Sequence, residues 1–336
     1  MRLLDKYRLR VRRQRLRVRA FRKRRELTAV QVRRGLAAGS GVVLAATVRN
    51  ERLRLPYFLD YYRKLGISHF IVIDNGSDDG SGAYLAAQPD VSLWRTTHSY
   101  AGARYGVDWI NWLLSRHCHG RWTLTVDVDE FFVYPYCDTR PINALTDWLE
   151  SYGVRSFPAM LLDLYPKGHV GAEPYHEGQN PFEIASWFDS GNYMITRNAL
   201  YGNLWIQGGP RARMFFPEQP AAAPSLNKIP LVKWDRKTTY VHSTHMLLPR
   251  GLNLGYDTQG GEMISGCLLH AKFLSVFPEK VAEEMQRSEH FAASQEYRAY
   301  AATELDQTNL WCKWSEKYIN WRQLEILGLM SKGNWA

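Results

Sequence analysis

The stretch HFIVID, residues 69 to 74, is apolar on both faces of an extended chain, between a histidine at its start and an aspartate at its end. Such a strand is typical of the centre of a parallel sheet that helices cover on both sides. The stretches VVLAATV (42–48) and VSLW (91–94) have the same character, and amphipathic segments separate the three. This alternation predicts βαβ units and a twisted parallel sheet.

The segments between these strands predict the covering helices. LRLPYFLDYYRKLG (53–66) has a helical apolar period and ends at a glycine, and a short helix follows through Ala87. A long helix from about Ala103 to His119 precedes a fourth strand, WTLTVDVDE (122–130). We therefore expect an α/β fold with a Rossmann-like, mostly parallel twisted sheet and helices on both faces, in which ligands bind at the carboxyl ends of the strands.

Length and composition allow one large domain or two modest ones. The chain has 336 residues, 45 % hydrophobic and 13 % aromatic, which is enough to bury a sizeable core. No segment approaches the eighteen or so uncharged apolar residues that a spanning helix needs, so we expect a protein that is not integral to a membrane. Four widely spaced cysteines, without a C-x-x-C pair or a secretory signal, predict reduced thiols, a cytoplasmic location and no zinc site. The predicted divisions are a basic arm and linker (1–40), a catalytic domain (41–277, with halves 41–135 and 136–277) and a C-terminal helical region (278–336).

Residues 1 to 34 form a strongly basic arm. They hold fifteen Lys and Arg side chains against Asp5 and Glu26, a net charge of +13, which leaves −3 for the rest of a chain whose total is +10. Apolar residues at helical spacing favour a basic amphipathic helix on an anionic membrane surface, and hence a protein peripheral on the cytoplasmic face. A disordered solubilising tail and a nucleic-acid arm are alternatives, and YRLRV (7–11) is also compatible with a strand. The apolar line consists of Leu4, Tyr7, Val11, Val18 and Phe21.

Polar clusters follow three of the four predicted strands. RNE (49–51) follows the first strand, DNGSDDG (74–80) closes the second, and DVDE (127–130) closes the fourth. Each cluster alone is ordinary turn or helix-cap chemistry. Because the carboxyl ends of parallel strands share one edge of a sheet, three such clusters together predict a binding site at that edge.

The end of the fourth strand carries the clearest indication of a metal. At a period of two, Asp127 and Asp129 fall on one face of the strand, with Cα atoms roughly 6 to 7 Å apart. A half-exposed strand whose polar face meets water is the alternative interpretation. The aromatic run FFVY (131–134) keeps the chain against a core after these acids. Acids in such a place need a partner, and a divalent cation is the simplest one.

In this order and spacing, the motifs resemble those of the GT-A glycosyltransferases, and among them glycosyltransferase family 2, whose bacterial members read R-N-E, D-N-x-S-x-D-G and D-x-D-E-F. The resemblance is strong over residues 42–135 and weaker through GGPRARMF (208–215) and LLHAKF (268–273). It implies a metal-dependent enzyme that moves a sugar from a nucleotide-diphosphate donor to a polysaccharide or lipid-linked glycan acceptor, with inversion expected for the family.

The resemblance implies that Asp74 receives the base or ribose of the nucleotide sugar. Arg49, Asn50 and Glu51 would line the same pocket. A carboxylate at a strand end can accept hydrogen bonds from an imide N–H or from sugar hydroxyls, which agrees with this role.

The resemblance likewise implies a metal centre. Asp127 and Asp129 would hold Mn²⁺ or Mg²⁺ against the diphosphate, with Asp129 as the catalytic residue that the motif singles out. His270 would complete the metal shell, which suits Mn²⁺ better than Mg²⁺, and Lys272 would lie on the same strand face and touch a phosphate. The alternative for His270 is a hydrogen-bonded core histidine.

The sequence does not identify a catalytic base. An inverting transfer needs a carboxylate near the acceptor hydroxyl, and the chain lacks a clear downstream Glu-Asp pair. The glycine-rich GGPRAR (208–213) is either an approach to phosphate or glycan or a surface turn. The acids in the appropriate half are Asp163, Glu177, Glu183, Asp189, Glu218, Asp235 and Glu262. The other candidates, each also explicable as an ordinary strand or core residue, are His242, His245, Trp187, Trp205 and Trp234.

Two other classes of function compete with the transferase. One is a nucleic-acid-binding protein that uses the basic arm, but the net charge of −3 on the body disfavours it and no nucleic acid is expected as a partner. The other is a non-catalytic scaffold with a GT-A-like sheet, in which the acids only solubilise turns. Hydrolysis of the donor with and without Mn²⁺ separates the transferase from the scaffold, and salt-dependent DNA binding tests the nucleic-acid alternative.

Overall fold

The computed structural model describes residues 2–38, 40–255, 263–287, 289 and 291–335. Its helices are α1 (Leu3–Lys23), α2 (Gly35–Ala38), α3 (Leu55–Leu65), α4 (Ser81–Ala86), α5 (Val107–His117), α6 (Ile142–Ser151), α7 (Gly209–Phe215), α8 (Phe277–Arg287), α9 (Phe291–Ala301) and α10 (Trp321–Ile326). Its strands are β1 (Thr28–Gln31), β2 (Val43–Val48), β3 (His69–Asp74), β4 (Val91–Arg95), β5 (Trp122–Thr125), β6 (Glu130–Val133), β7 (Ser156–Asp163), β8 (Trp187–Asp189), β9 (Tyr193–Arg197), β10 (Leu204–Gly208), β11 (Asn227–Lys233), β12 (Thr239–His242), β13 (Met246–Leu248), β14 (Gly266–His270) and β15 (Ser315–Lys317).

Nine of these strands form a central sheet in the order β1-β4-β3-β2-β5-β11-β7-β14-β6. Strands β2, β3, β4, β5, β7 and β14 run in one direction, while β1, β6 and β11 run against them. The structure therefore confirms the predicted α/β fold with a large, mostly parallel sheet. The carboxyl ends of the six parallel strands lie at one edge, together with the start of β11.

Strand β3 and helix α3 show how the sequence pattern produces this fold. Every residue of β3 is buried, as an apolar run at the centre of a parallel sheet requires. Helix α3 packs Phe58 and Tyr62 onto the sheet, and it ends at Gly66, whose φ of 100° lies in the left-handed region that glycine adopts freely. The Tyr62 hydroxyl donates a hydrogen bond to the Glu130 carbonyl at 2.7 Å, which ties this helix to the edge where β6 begins.

The predicted fourth strand (122–130) is wrong in its second half. Strand β5 ends at Thr125, where its pairing with β2 also ends, and the chain turns before β6 starts at Glu130 and pairs with β14. Strand β5 lies in the middle of the sheet, whereas β6, with the buried Phe131 and Phe132, lies at its far end. Asp127 and Asp129 therefore belong to a turn and do not share a strand face. The strand on which His270 and Lys272 were expected to share a face ends at His270, so Lys272 lies beyond it.

Most of the basic segment is helix α1, so the strand interpretation of YRLRV is wrong. The segment is also not a separate arm. Leu9 and Ala20 of α1 are buried against the body, and Arg19 Nε donates to Asp108 Oδ2 of α5 at 2.7 Å. Strand β1 pairs with β4 at the edge of the central sheet. The predicted boundary at residue 40 therefore divides one folded unit. No described helix is long and apolar enough to cross a membrane.

The C-terminal region is also joined to the rest of the fold. Beyond residue 277, helices α8, α9 and α10 agree with the helical pattern, but β15 pairs with β8 of the preceding half. The side chains of α8 and α9 reach across the carboxyl edge of the sheet. The predicted boundary at residue 277 is therefore not a structural break.

His69 gives the fold a contribution to stability that depends on pH. Its ring is 2 % exposed at the start of β3, and its Nε2 atom lies 2.9 Å from Ser92 Oγ. Burial disfavours the imidazolium and lowers the pKa of His69 to about 4. Between that pH and the ordinary pKa near 6.5, the unfolded chain binds a proton that the folded chain does not, so stability falls as the pH falls.

We expect the variant His69→Gln to lose this dependence. Relative to the wild type, its unfolding free energy should fall by about 2 kcal/mol less between pH 7 and pH 5. Urea unfolding at both pH values measures the difference, with His119→Gln, at an exposed histidine, as the matched control. If both variants keep the pH dependence of the wild type, His69 is not its source.

Candidate functional site

A cleft of about 530 Å³ lies at the carboxyl edge of the parallel strands. Arg49 follows β2, Asn75 follows β3 and Asp129 precedes β6, and all three line the cleft. On the opposite side, the cleft is lined by Lys280 of α8 and Glu296 of α9. The edge at which the polar clusters predict a binding site therefore contains a cavity, whose walls come from distant parts of the chain.

A continuous chain of polar contacts runs from the cleft into the body. His270, at the end of β14, has its Nε2 atom 3.3 Å from Asp129 Oδ2 and its Nδ1 atom 2.6 Å from Asp163 Oδ1. Asp163 ends the neighbouring strand β7, and its other oxygen accepts from Arg211 Nε at 2.7 Å. Because β14 and β7 pair in parallel with His270 opposite Asp163, the sheet register itself fixes this contact.

The charges in this chain stabilise one another. Burial lowers the pKa of His270, but the carboxylates of Asp129 and Asp163 outweigh that effect and raise it to about 9. Burial opposes the ionisation of Asp129, yet His270 and Arg54 hold the pKa of that carboxyl well below its usual range. The pKa of Asp163 is lowered in the same way, against its burial, by Arg211 and His270. Both carboxylates are therefore ionised at neutral pH.

The contact between His270 and Asp129 fits two neighbouring ligands of one cation. Two such ligands in an octahedral shell lie roughly 3.0 Å apart when each is about 2.1 Å from the metal. The carboxylate of Asp163 orients the other ring nitrogen, as is usual for a histidine that binds metal. Among the described residues, however, no three His, Cys, Asp or Glu side chains form a group that could hold a metal ion. The remaining ligands would have to come from a substrate, water or a rearranged Asp127.

Asp127, the other predicted metal ligand, lies near the ammonium group of Lys228. Its side chain is 55 % exposed, and Oδ2 lies 3.6 Å from Nζ of Lys228, which also contacts Glu130 Oε1 at 2.8 Å. Burial raises the pKa of Glu130 despite Lys228. Asp127 lines the cleft as predicted, but its role as a metal ligand stays a prediction.

The glycine-rich segment delivers an arginine to the cleft and is not a surface turn. Gly208, with φ 145°, leaves no room for a side chain, because an added Cβ would lie 2.6 Å from the Asn192 carbonyl oxygen. Helix α7 starts at the next residue and directs Arg211 inward, whereas Arg213 pairs with Asp189 outside the cleft. Arg211 is buried, and its Nη2 atom has no hydrogen-bond partner among the described residues. A buried donor in a cleft is a position for a ligand oxygen.

Glu296 of α9 contacts both Arg211 and Lys272 on this wall of the cleft. Its carboxylate lies 3.3 Å from Arg211 Nη1 and 2.9 Å from Lys272 Nζ. Against its burial, these two cations hold the pKa of Glu296 well below its usual range. Lys272 also lies over the ring of Tyr300, 4.7 Å from its centroid. The predicted phosphate ligand Lys272 is therefore in the cleft, bound to a carboxylate of its own chain.

Helix α8 contacts the loop after β2 in a similar way. Lys280 Nζ donates to the carbonyl oxygen of Arg49 at 3.0 Å and to Glu51 Oε1 at 2.9 Å. Arg49 Nε in turn contacts Glu283 Oε1 at 2.9 Å. Arg49 and Glu51, both predicted for the nucleotide pocket, line the cleft at the point where α8 covers it.

Asp74 and Asn50 are placed differently from the prediction. The Asp74 carboxylate is 4 % exposed and accepts from the Ser77 amide at 2.9 Å, so it is turned into its own loop. Asn50, at φ 51°, accepts from the Asp78 amide at 3.0 Å through its side chain. Both side chains hold the loop after β3 in shape, and Asn75 is the residue of that loop that lines the cleft. Of three residues predicted for the binding site, Asp127 and His270 therefore line the cleft, whereas Asp74 does not.

The remaining candidates divide clearly. Of the seven acids considered as the catalytic base, Asp163 lies behind His270 and Glu262 lies outside the described residues. Among the described residues that line the cleft, none of the other five is present. Trp205, His242 and His245 line the cleft, whereas Trp234 is buried in the core and Trp187 packs on Trp311. Reasoning from the sequence missed the cleft residues Tyr100, Tyr105, Lys228, Lys280, Glu283, Glu284, Arg287 and Glu296.

Comparisons with known proteins give distant similarities. No protein-family model matches the chain, and no curated protein matches it. Among solved structures, it is similar to 4-diphosphocytidyl-2C-methyl-D-erythritol synthase at 16 % identity and a TM-score of 0.24, over 42 % of this chain and 66 % of that one, slightly less than two thirds of its length. It is also similar to a Bacillus anthracis protein described as a glucose-1-phosphate thymidylyltransferase in complex with sucrose, at 13 % identity and a TM-score of 0.33, over 77 % of this chain and 98 % of that one. A third similar structure is HddC from Yersinia pseudotuberculosis, at 6 % identity and a TM-score of 0.29, over 73 % of this chain and 98 % of that one.

Similarities at these TM-scores do not identify an activity. None of the three proteins is described as a glycosyltransferase, so the resemblance to family 2 stays a prediction. The function is therefore inferred from the cleft itself.

Proposed function

We propose that the protein is a metal-dependent transferase that moves a sugar from a nucleoside-diphosphate donor to a polysaccharide or lipid-linked glycan acceptor. The observation that carries the proposal is the chain of contacts from Asp129 through His270 and Asp163 to Arg211. Arg211 is buried and lines the cleft, and its Nη2 atom has no hydrogen-bond partner among the described residues. A metal-ligand pair beside a phosphate-type donor is the arrangement that a diphosphate leaving group needs.

Asp129 and His270 would hold the cation, and Asp163 would keep the His270 ring in place. When bound, Mn²⁺ or Mg²⁺ would supply a Lewis acid that neutralises the charge on the departing diphosphate. An imidazole among the ligands favours Mn²⁺. Because the pKa of His270 is raised to about 9 without a metal, cation binding would displace a proton from the ring and should strengthen as the pH rises.

Arg211, Lys228 and Lys272 would bind the phosphate oxygens. In the described structure each of them contacts a carboxylate: Asp163 and Glu296 for Arg211, Glu130 for Lys228 and Glu296 for Lys272. A diphosphate offers the same cations more charge and more acceptor oxygens than one carboxylate does. The diphosphate of the donor would therefore compete with Glu296 for Arg211 and Lys272, whereas Asp163 and Glu130 would keep their present contacts.

The nucleoside and the acceptor would occupy the two ends of the cleft. Arg49, Glu51 and Asn75 supply hydrogen-bonding groups for a base and ribose at the ends of β2 and β3. Trp205 and His245, whose ring centroids are 6.2 Å apart, offer an aromatic surface for a sugar at the other end. The ionised side chains of Asp163, His270 and Arg211 are costly to bury, and a non-catalytic scaffold would gain nothing from them.

We expect nucleoside diphosphates to raise the melting temperature of the protein only when Mn²⁺ is present. A ligand at a hundred times its dissociation constant adds about 2.7 kcal/mol to the stability of the folded state. The test is a thermal-shift panel of nucleoside diphosphates, their sugar conjugates, nucleoside triphosphates and sugar phosphates, each without metal and with Mn²⁺ or Mg²⁺. Arg211→Lys keeps the charge but loses the donor fork, so it should weaken binding roughly tenfold, whereas Arg213→Lys on the same helix should not.

The outcomes of this panel are distinct. If no nucleoside diphosphate or sugar conjugate binds with either metal, the proposal fails. If a nucleoside triphosphate and a sugar phosphate bind but the diphosphate sugar is not turned over, the enzyme transfers a nucleotidyl group instead. The melting temperature of each variant without ligand shows whether it is folded.

A further inference from the structure

Helix α1 is attached to the body along one narrow face. Leu9 packs with Tyr201, Val241 and Leu248, and Ala20 is buried further along the same face. At 100° per residue, these two positions lie about 20° apart around the helix axis. At the sides of the helix, Arg19 and Phe21 contact Asp108 and Trp112 of α5, and the side opposite Leu9 faces the outside of the molecule.

The outward face of α1 is apolar along its centre and basic at its sides. Tyr7, Val11 and Val18 lie within about 40° of the direction opposite Leu9. Tyr7 is 66 % exposed and Val18 50 % exposed, and the preceding turn adds the exposed Leu3 and Leu4. The basic residues that flank this line are Arg10, Arg15 and Arg22, all exposed.

We propose that this outward face of α1 docks on an anionic lipid bilayer. The face is defined by Leu3, Leu4, Tyr7, Val11 and Val18 with Arg10, Arg15 and Arg22 beside them. A basic helix with an apolar line is the arrangement that lies in the headgroup boundary and gains from both burial and charge. Its 21 residues give a contact about 30 Å long, parallel to the bilayer plane.

Two other occupants fit the face less well. A second copy of the chain would bring two strongly basic helices together, and like charges in contact repel. A nucleic acid would use the arginines but would leave Tyr7 and Val18 without a role, because affinity for its backbone comes from charge. The anionic bilayer alone uses both the apolar line and its flanks.

The same helix connects the bilayer to the cleft. Val241 packs on Leu9, and the next residue, His242, lines the cleft. A membrane-bound α1 would therefore hold this wall of the cleft close to the lipid surface. If the proposed transferase function holds, a lipid-linked acceptor is the substrate that this placement suits, but the docking surface itself does not depend on that function.

Vesicle sedimentation of the full chain tests the docking surface. The protein should bind phosphatidylcholine vesicles that contain phosphatidylglycerol, should bind pure phosphatidylcholine weakly, and should dissociate as salt increases. Arg15→Glu with Arg22→Glu, and separately Tyr7→Ser with Val18→Ser, should each weaken binding at least roughly tenfold. The matched controls change exposed residues near the C-terminus: Lys313→Glu with Lys317→Glu, and Ile319→Ser with Ile326→Ser.

Each outcome decides the proposal. Loss of binding in both α1 pairs, with both control pairs unaffected, supports it. If the α1 pairs bind vesicles as well as the wild type, the face is not the docking surface. If binding to a DNA duplex survives the Tyr7 and Val18 changes and exceeds binding to the vesicles, the face binds nucleic acid, and if the chain is a dimer that these changes dissociate, the occupant is a second copy. A chain that binds vesicles but shows no donor binding leaves the docking surface intact and rejects the transferase alone.

Discussion

The variant Asp129→Asn is expected to lose metal-dependent sugar transfer, with turnover in Mn²⁺ reduced by roughly 10²–10³-fold. A cation on the leaving group contributes several kcal/mol to the transition state, and each 1.4 kcal/mol or so is a factor of ten. Asparagine keeps the size of the side chain but offers a neutral oxygen to the cation. The measurement is release of nucleoside diphosphate from the donor at saturating Mn²⁺.

The same change also tests the electrostatics of the cleft without a metal. The sequence places three acids within four residues, so the loss of one would be expected to relieve repulsion. The structure instead places Asp129 beside His270. Against the effect of burial, His270 and Arg54 lower the pKa of Asp129. A carboxyl whose pKa is lowered on folding stabilises the protein above its unfolded pKa of about 4, and that stability is lost as the pH falls further. We therefore expect Asp129→Asn to be less stable than the wild type at pH 7, not more stable.

The control for this variant is Asp78→Asn, which removes an exposed carboxylate from the neighbouring loop. It should retain both turnover and stability. Near-normal turnover of Asp129→Asn in Mn²⁺ would remove Asp129 from the metal centre. A loss of turnover without a loss of Mn²⁺ binding, measured by calorimetry, would assign it a different part in the reaction.

The position of the cleft was predictable from the sequence because it follows from topology alone. Parallel strands bring their carboxyl ends to one edge, and the polar residues after HFIVID and VVLAATV mark that edge before any contact is known. His270 could be placed there through its resemblance to a motif. Its contact with Asp163 could not, because the register between β14 and β7 is not visible in either segment alone.

The residues that the sequence concealed come from elements that return to the edge from far along the chain. Lys228 is the second residue of the antiparallel strand β11, and an antiparallel strand brings its beginning, not its end, to the carboxyl edge. Glu296 and Lys280 belong to helices that read as an ordinary charged surface. Asp74 differs in another way. It lies at the predicted strand end, but its Oδ1 atom accepts from the turn that follows it, which the DNGSDDG pattern already permitted, and its role in nucleotide binding stays a prediction.

The basic segment shows why composition alone misjudged the domain boundary. Fifteen positive charges over 34 residues suggest a detachable arm, but the contacts of α1 with α5 and β12 and the pairing of β1 with β4 join the segment to the body. Leu9, Ala20 and Glu26 attract no notice in such a sequence. Leu9 packs with Tyr201, Val241 and Leu248, 192 to 239 residues away, and Glu26 accepts from Trp109 of α5, 83 residues away, so no local pattern predicts these contacts.

Deletion of residues 1–34 is therefore expected to destabilise the whole protein, not merely to release it from membranes. The truncated chain would leave Trp109 Nε1 without its acceptor Glu26 at 2.9 Å, and the buried Asp108 would lose Arg19 and keep, among the described residues, only Arg104 as its cationic partner. It would also expose β4 as a sheet edge in place of β1. A buried polar group without its partner costs about 1–3 kcal/mol, and uncovering apolar side chains adds about 1.5–3 kcal/mol for each residue that had been fully buried.

These costs together reach roughly 5 kcal/mol, which is comparable with the total stability of many domains. Urea unfolding should show a markedly lower midpoint for the truncated chain, or an insoluble product. Where the truncated chain cannot be purified, Glu26→Gln and Leu9→Ala test the same contacts one at a time, and each should lower the midpoint. The matched variant Arg15→Glu with Arg22→Glu changes only the outward face of α1, so it should unfold at the wild-type midpoint. If the truncated chain unfolds at the wild-type midpoint too, α1 and β1 contribute nothing to the fold. If it does not, vesicle binding has to be dissected with substitutions on the outward face, because deletion removes the surface and the stability of its support together.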